Sequence, residues 1–387
     1  MTIRKETIIS ILVFLLGASA AFGELANDFI PFASLMFVML GFVIIIYSLV
    51  FLRLPSWKNR ECRLIIVSFV FYTIYQGVYI MSHSMDGEGI IGLFKVPIFL
   101  LTAFFVIRIC VYEHQNLDYL MLGFIVGFLI AIPLGTMKMY AVTRMTGTYS
   151  NPNNYALDCN LFVYSSLYLL FKKKKGFFAF TMVLGIVMVF LTGSRGALLA
   201  MSIGLALFIL DFKKLSLKNI LLALSGIIVV LVLLIFADQI PLLQRLFKSE
   251  YGENVRLEIW KAYILNVDKY FLFGIDETEM RTIHHFTPHS SILSPFVRYG
   301  IIAFLLYLAL DVCIWIKSIK NLIHEDMNEV KAAFCAYVVV FFSSFTIEIM
   351  TTRSKYMFLI IVLSIILQKQ EDDDIIEDLL GIDIFSD

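Results

Sequence analysis

The stretch GFFAFTMVLGIVMVFLTGSRGALLAMSIGLALFIL, residues 176–210, decides how the rest is read, because its only charge, Arg195, sits between two apolar runs. Each run approaches the roughly 17–25 apolar residues of a membrane helix, and together they are too long for one crossing. The Thr-Gly-Ser-Arg-Gly turn therefore separates two spans, 176–193 and 195–210. Working outward, similar runs lie at 7–23, 31–52, 64–81, 90–112, 118–137 and 155–171 before this pair, and at 218–236, 295–316, 332–350 and 354–368 after it. The expected fold is all-α: a polytopic membrane protein with about 12 transmembrane helices.

Composition agrees. Hydrophobic residues make up 60% of the chain and charged ones 16%, against about a quarter charged in soluble domains. Net charge is zero, so no basic excess argues for nucleic acid. The cysteines (Cys62, Cys110, Cys159, Cys313, Cys335) show neither CxxC spacing nor a pairing pattern. Arg4-Lys5, an apolar run and Ala18-Ser19-Ala20 imitate a secretory signal; such a start is either cleaved or kept as a first span, and the many spans that follow favour the second.

Lysine and arginine set the orientation. With the N-terminus inside, Arg4, Lys5, Arg53, Lys58, Arg60, Arg63, Arg108, Lys172 to Lys175, Lys213, Lys214, Lys218, Lys317, Lys320, Lys331 and Lys369 are all cytoplasmic, eighteen of thirty-one. The loops ELAND (24–28) and SHSMDGEG (82–89), on the other side, have none. Both termini are then cytoplasmic. The chain divides into an N-terminal bundle of about nine spans (1–236), an extracytoplasmic loop with an amphipathic helix (237–294), about three C-terminal spans (295–368) and an acidic cytoplasmic tail (369–387).

Four outer features carry chemistry. Ser194 and Arg195 open the returning helix, where unsatisfied N–H groups and the positive dipole end favour an anion. An arginine at that depth either snorkels to lipid phosphate or has an anionic partner. In NVRLEIWKAYILNV (254–267), Arg256 shares an apolar arc with Ile259, Trp260, Tyr263, Ile264 and Val267, an arrangement suited to an acidic ligand, a structural salt bridge or a cation–π contact with Trp260. His289 follows Pro288 just before a span; it is either a proton acceptor or an isolated interfacial histidine. His285 and His289 have i,i+4 spacing, but Pro288 between them disfavours a metal-binding helix. Finally, GTYSNPNNYALD (147–158) enters a helix through Asn153 and Asn154, as a turn and N-cap or as a binder of sugar hydroxyls.

Over roughly residues 145–310 the chain resembles the O-antigen ligase and polymerase superfamily, multi-span enzymes that join lipid-carried oligosaccharides outside the cytoplasmic membrane. The likeness rests on G-T-Y-S-N-P-N-N-Y-A, T-G-S-R-G, Arg256 with Trp260, Y-F-L-F-G-I, and His289 followed by an apolar run and Tyr299-Gly300-Ile301-Ile302. Two positions depart from the family pattern: His289-Ser290 stands where His-Asn is usual, and Asp276 where a second glycine often follows Phe-Gly. The resemblance implies that Arg195, Arg256 and His289 are catalytic, with no metal and no cofactor. Asn153, Asn154, Ser194, Trp260 and Tyr263 are the accompanying substrate-contact candidates. It further implies polymerisation of polyprenyl-pyrophosphate-linked repeat units into a capsule, O-antigen or exopolysaccharide. The alternatives are a ligase of the same fold and, from another class, a transporter or flippase of lipid-linked sugars. Expected partners are the lipid-linked donor and acceptor, membrane lipids, and flippase and chain-length regulator proteins.

Overall fold

The computed structural model describes residues 5–23, 33–51, 87–136, 144–149, 151–210, 216–236, 255–288, 290–324, 328–345, 353, 356–365 and 368. Every regular element among them is helical. In chain order these are α1 (Lys5–Ala20), α2 (Ala33–Phe51), α3 (Gly87–Tyr112), α4 (Gln115–Thr136), α5 (Pro152–Lys173), α6 (Gly176–Leu191) and α7 (Arg195–Ile209). They continue as α8 (Leu217–Ile235), α9 (Val255–Leu265), α10 (Glu277–Ile283), α11 (Leu293–His324), α12 (Asn328–Ser344) and α13 (Tyr356–Ile365). Each expected apolar run coincides wholly or partly with a helix, except 64–81, which lies outside the described residues. One described helix, α4 over Gln115–Gly135, is by itself long and apolar enough to cross a membrane, whereas Gly176–Leu191 and Arg195–Ile209 are apolar but shorter.

The central helix is α5. Every residue from Tyr155 to Leu169 is buried, so this helix presents no polar face to the outside and must sit inside a bundle. It packs on α4, α6, α7 and α12. Its contact with α7 is polar and in register: Asn160 Nδ2 donates to Ala197 O at 3.3 Å, and one turn later Tyr164 Oη donates to Met201 O at 3.0 Å. A Cβ at Gly204 would overlap the Tyr164 hydroxyl, so the glycine makes room for that bond. Hydrogen bonds and small residues are what hold apolar helices together when both the lipid and the neighbouring helix are equally apolar.

The same logic joins α1 to α4. A Cβ at Gly123 or Gly127, a Gly-x-x-x-Gly pair, would overlap Phe14 O or Ala18 O, and one at Gly17 would overlap Leu120 O. Ser10 also donates to Asn116 Oδ1 at 2.8 Å, so the two helices run parallel with their backbones touching.

Polar contacts gather at two opposite ends of the bundle. At one end are Tyr47 to Lys5 O (3.2 Å), Gln368 to Cys110 O (2.7 Å), and Asp118 held by Lys172 (2.8 Å) and Lys173 (2.6 Å). At the other, Gly23 N donates to Thr148 Oγ1 (2.9 Å), Met145 N to Leu191 O (3.1 Å), and Arg353 to Ser19 O (3.4 Å). The candidate site belongs to this second end.

Candidate functional site

Two groups of side chains form at that end. The first surrounds the turn between α6 and α7. Gly193 has φ 61, a left-handed value that glycine adopts without strain, and it lets the chain reverse within three residues. Ser194, 4% exposed, is the N-cap of α7 and accepts from Ala197 N at 3.5 Å; its own N–H donates to Thr192 Oγ1 at 3.2 Å. Arg195, half-buried, is the first helical residue. Arg195 thus begins a helix, at the end whose dipole favours anions.

Beside this turn lies the start of α5. Its N-cap is Asn151, whose side chain accepts from Asn153 N at 2.8 Å, and Pro152 takes the first helical position, where its missing N–H costs nothing. Asn153 and Asn154 are therefore first-turn residues rather than the cap. Arg144 connects the two turns: its Nε donates to Thr192 O at 2.8 Å and a terminal nitrogen donates to Asn153 Oδ1 at 3.2 Å. The side-chain oxygen of Asn153 is consequently occupied within the protein. Asn154, half-buried, makes no side-chain hydrogen bond among the described residues. Sequence reasoning passed over Arg144; in the orientation expected from the charge bias it is a cation on the lysine- and arginine-poor side, four residues before Thr148-Tyr149, and that is the signal that marks it.

The second group is a small module with its own core of Ile259, Tyr263, Tyr270, Ile275, Met280 and Val297. Tyr263 was expected to contact substrate. Its side chain is 0% exposed, and its hydroxyl faces Phe286 O at 3.0 Å and Met280 O at 3.3 Å. The Tyr270 hydroxyl donates in turn to Tyr263 O at 2.8 Å, and burial, with Tyr263 and Asp268 nearby, pushes its pKa up to about 12. Ile264, which periodicity places on the apolar arc, is 62% exposed. Trp260 is half-buried, and its indole N–H donates to Pro288 O at 3.1 Å.

Arg256 lies one turn before Trp260 on that face, at the open end of α9. Its side chain is exposed, desolvation by its surroundings lowers its pKa, and it has no ion pair or cation–π contact among the described residues. Arginine remains charged at neutral pH regardless. His289 itself lies outside the described residues, but both chain neighbours are fixed: Pro288 by Trp260, and Ser290 by a bond from its Oγ to Ser344 O at 3.2 Å.

The motif glycines and the two departures now have physical reasons. Gly274 (φ 78) and Gly300 (φ 76) oppose each other where 271–275 docks on 297–301; Ile275 N donates to Val297 O (2.9 Å) and Ile301 N to Phe271 O (2.8 Å). A Cβ at Gly274 would overlap Arg298 O and one at Gly300 would overlap Leu272 O. Asp276 is the N-cap of α10, accepting from Glu279 N at 2.7 Å. Ser290 Oγ accepts from Ile292 N and Leu293 N, both at 3.3 Å, at the head of α11. Both replacements cap helices.

The turn group and the module meet through α12. That helix packs on α7, and the carbonyl of Ser344 at its end accepts from Ser291 N at 2.7 Å, one residue beyond Ser290. Arg195 and the flanks of His289 are thereby tied to one helix.

Residues 180–308 match the family described as O-antigen ligase. No curated protein matches the chain. The match implies glycan transfer of the ligase or polymerase type, on lipid-linked glycans in the membrane. Residues 180–308, a third of the chain that includes Arg195, Arg256 and His289, are thus similar to the O-antigen ligase family.

Proposed function

We propose that this protein polymerises polyprenyl-pyrophosphate-linked oligosaccharide repeat units into a surface polysaccharide on the outer side of the cytoplasmic membrane. In this reading it crosses the bilayer about twelve times, keeps both termini inside and carries the 237–294 loop outside. The sorting of polar contacts into two opposite ends supports that alternation, and the packing of α1 on α4 supports its retention as a span. The observation that carries the reading is that one family match contains both candidate arginines and the candidate base.

In the reaction, the acceptor hydroxyl oxygen attacks the anomeric carbon of the donor glycan. The bond from that carbon to the pyrophosphate oxygen breaks, and its electron pair leaves with polyprenyl pyrophosphate. His289, neutral, takes the hydroxyl proton. Arg195 and Arg256, with Ser194 and the N-terminal amides of α7, stabilise the charge gathering on the leaving group, a task that guanidinium forks suit and that needs neither metal nor cofactor. Asn154, the donor side of Asn153 and the accessible part of Trp260 meet sugar hydroxyls, while Tyr263 acts from inside the module by holding 280–286 in place. A flippase supplies the donor and a chain-length regulator limits the product.

Deletion of the protein followed by gel separation of surface glycan tests this. The expected result is loss of the ladder with single-repeat material retained. Long chains stranded on the carrier identify the ligase of the same fold, repeat units trapped inside identify a flippase, and a normal ladder refutes all three.

A further inference from the structure

We propose that Arg144 is a positioning residue for the pyrophosphate-binding turn, fixing where Arg195 and the first amides of α7 face; this rests on the glycan-transfer reading above. The last carbonyls of a helix have no partner within it. At the end of α6 two successive carbonyls, Leu191 O and Thr192 O, receive donors from two successive residues, Met145 N at 3.1 Å and Arg144 Nε at 2.8 Å. Arg144 is thus a cationic C-cap, a favourable place for positive charge.

The carbonyl it holds belongs to Thr192, whose hydroxyl accepts from Ser194 N at 3.2 Å. Fixing that peptide plane fixes the point from which the Gly193 reversal starts. A terminal nitrogen of the same guanidinium reaches Asn153 Oδ1 at 3.2 Å, in the first turn of α5. One planar fork therefore sets the spacing between the turn that would bind pyrophosphate and the turn that would meet sugar. Lysine, with a single nitrogen, cannot hold both oxygens in that geometry.

The experiment uses the full-length protein in lipid nanodiscs, with Arg144→Gln, Arg144→Lys and Asn153→Ala, and two readouts. Hydrogen exchange over 190–198 is expected to quicken at least about tenfold in Arg144→Gln, corresponding to about 1.4 kcal/mol of lost protection, and less in Arg144→Lys and Asn153→Ala, while exchange in α5 beyond its first turn stays at the wild-type rate. Extension of a lipid-pyrophosphate-linked repeat unit is expected to fall in kcat/KM in the same order. In an Arg195→Lys background, Arg144→Gln should add little, because the group it positions has been altered.

Unchanged exchange over 190–198 overturns the proposal. So does quickened exchange with wild-type extension, or losses that multiply in the double variant. If the wild-type protein extends nothing while exchange responds as expected, the anchoring of the turn stands and the glycan-transfer reading fails alone. Should Arg144→Gln not fold, Arg144→Lys and Asn153→Ala decide on the same criteria.

Discussion

Trp260 donates its indole N–H to the carbonyl immediately before His289, so a residue chosen as a sugar contact also sets where the proposed base begins. Replacing it with phenylalanine keeps an aromatic ring but removes a bond worth about 0.5–1.5 kcal/mol net. Expected is a fall of about tenfold in kcat with little change in donor KM, since a misplaced base weakens the transition state rather than binding. A raised KM with kcat intact would make Trp260 a substrate contact only. Which residues were legible follows from the same physics. Arg195 announced itself because one charge in an apolar run is costly, and Ser194 because it stands where an N-cap must. Arg144 is marked only by standing against the charge bias; its partners Asn153 and Thr192 lie nine and 48 residues away, and no local pattern encodes them. The burial of Tyr263 was not legible, because periodicity identifies an apolar arc without saying what covers it.

At the scale of elements, the bundle is held by close backbone approach. Gly123→Leu would drive a side chain into the backbone of α1 at Phe14, an overpacking that costs about 1–3 kcal/mol. Gly226→Leu on α8 meets nothing within 4 Å among the described residues. Thermal unfolding in detergent should fall clearly for the first and stay near wild type for the second; equal behaviour would remove the α1–α4 contact from the account. The kink at Gly300, with φ 76 and ψ −172, lies in a region essentially reserved for glycine. Gly300→Ala should therefore loosen the docking of 271–275 on α11 at a cost of about 1–3 kcal/mol, seen as faster hydrogen exchange at Ile275 and Ile301 with α5 unchanged. Helix positions were readable from apolar runs alone, whereas the pairing of helices was not, because the glycines that permit it look alike in sequence whether they touch a neighbour or face open space.

For the whole molecule, the two polar ends give the bundle a direction, and the proposed chemistry belongs to one of them. The turn of α6–α7, the start of α5, the end of α12 and the flanks of His289 all meet there, drawn from segments that are far apart in the chain. The all-helical class followed from composition; the role of α12 as the tie between Arg195 and the flanks of His289 had no sequence signal, since Ser343-Ser344 is an ordinary pair at the end of an apolar run. The central claim is that this end transfers glycan from lipid pyrophosphate. Its most direct test is to incubate purified wild-type, Arg195→Ala and His289→Ala proteins, matched for folding, with a polyprenyl-pyrophosphate-linked repeat unit and to separate the products. The account predicts a ladder from the wild type without any partner protein, and single units only from both variants; a ladder from Arg195→Ala equal to the wild type's would contradict it.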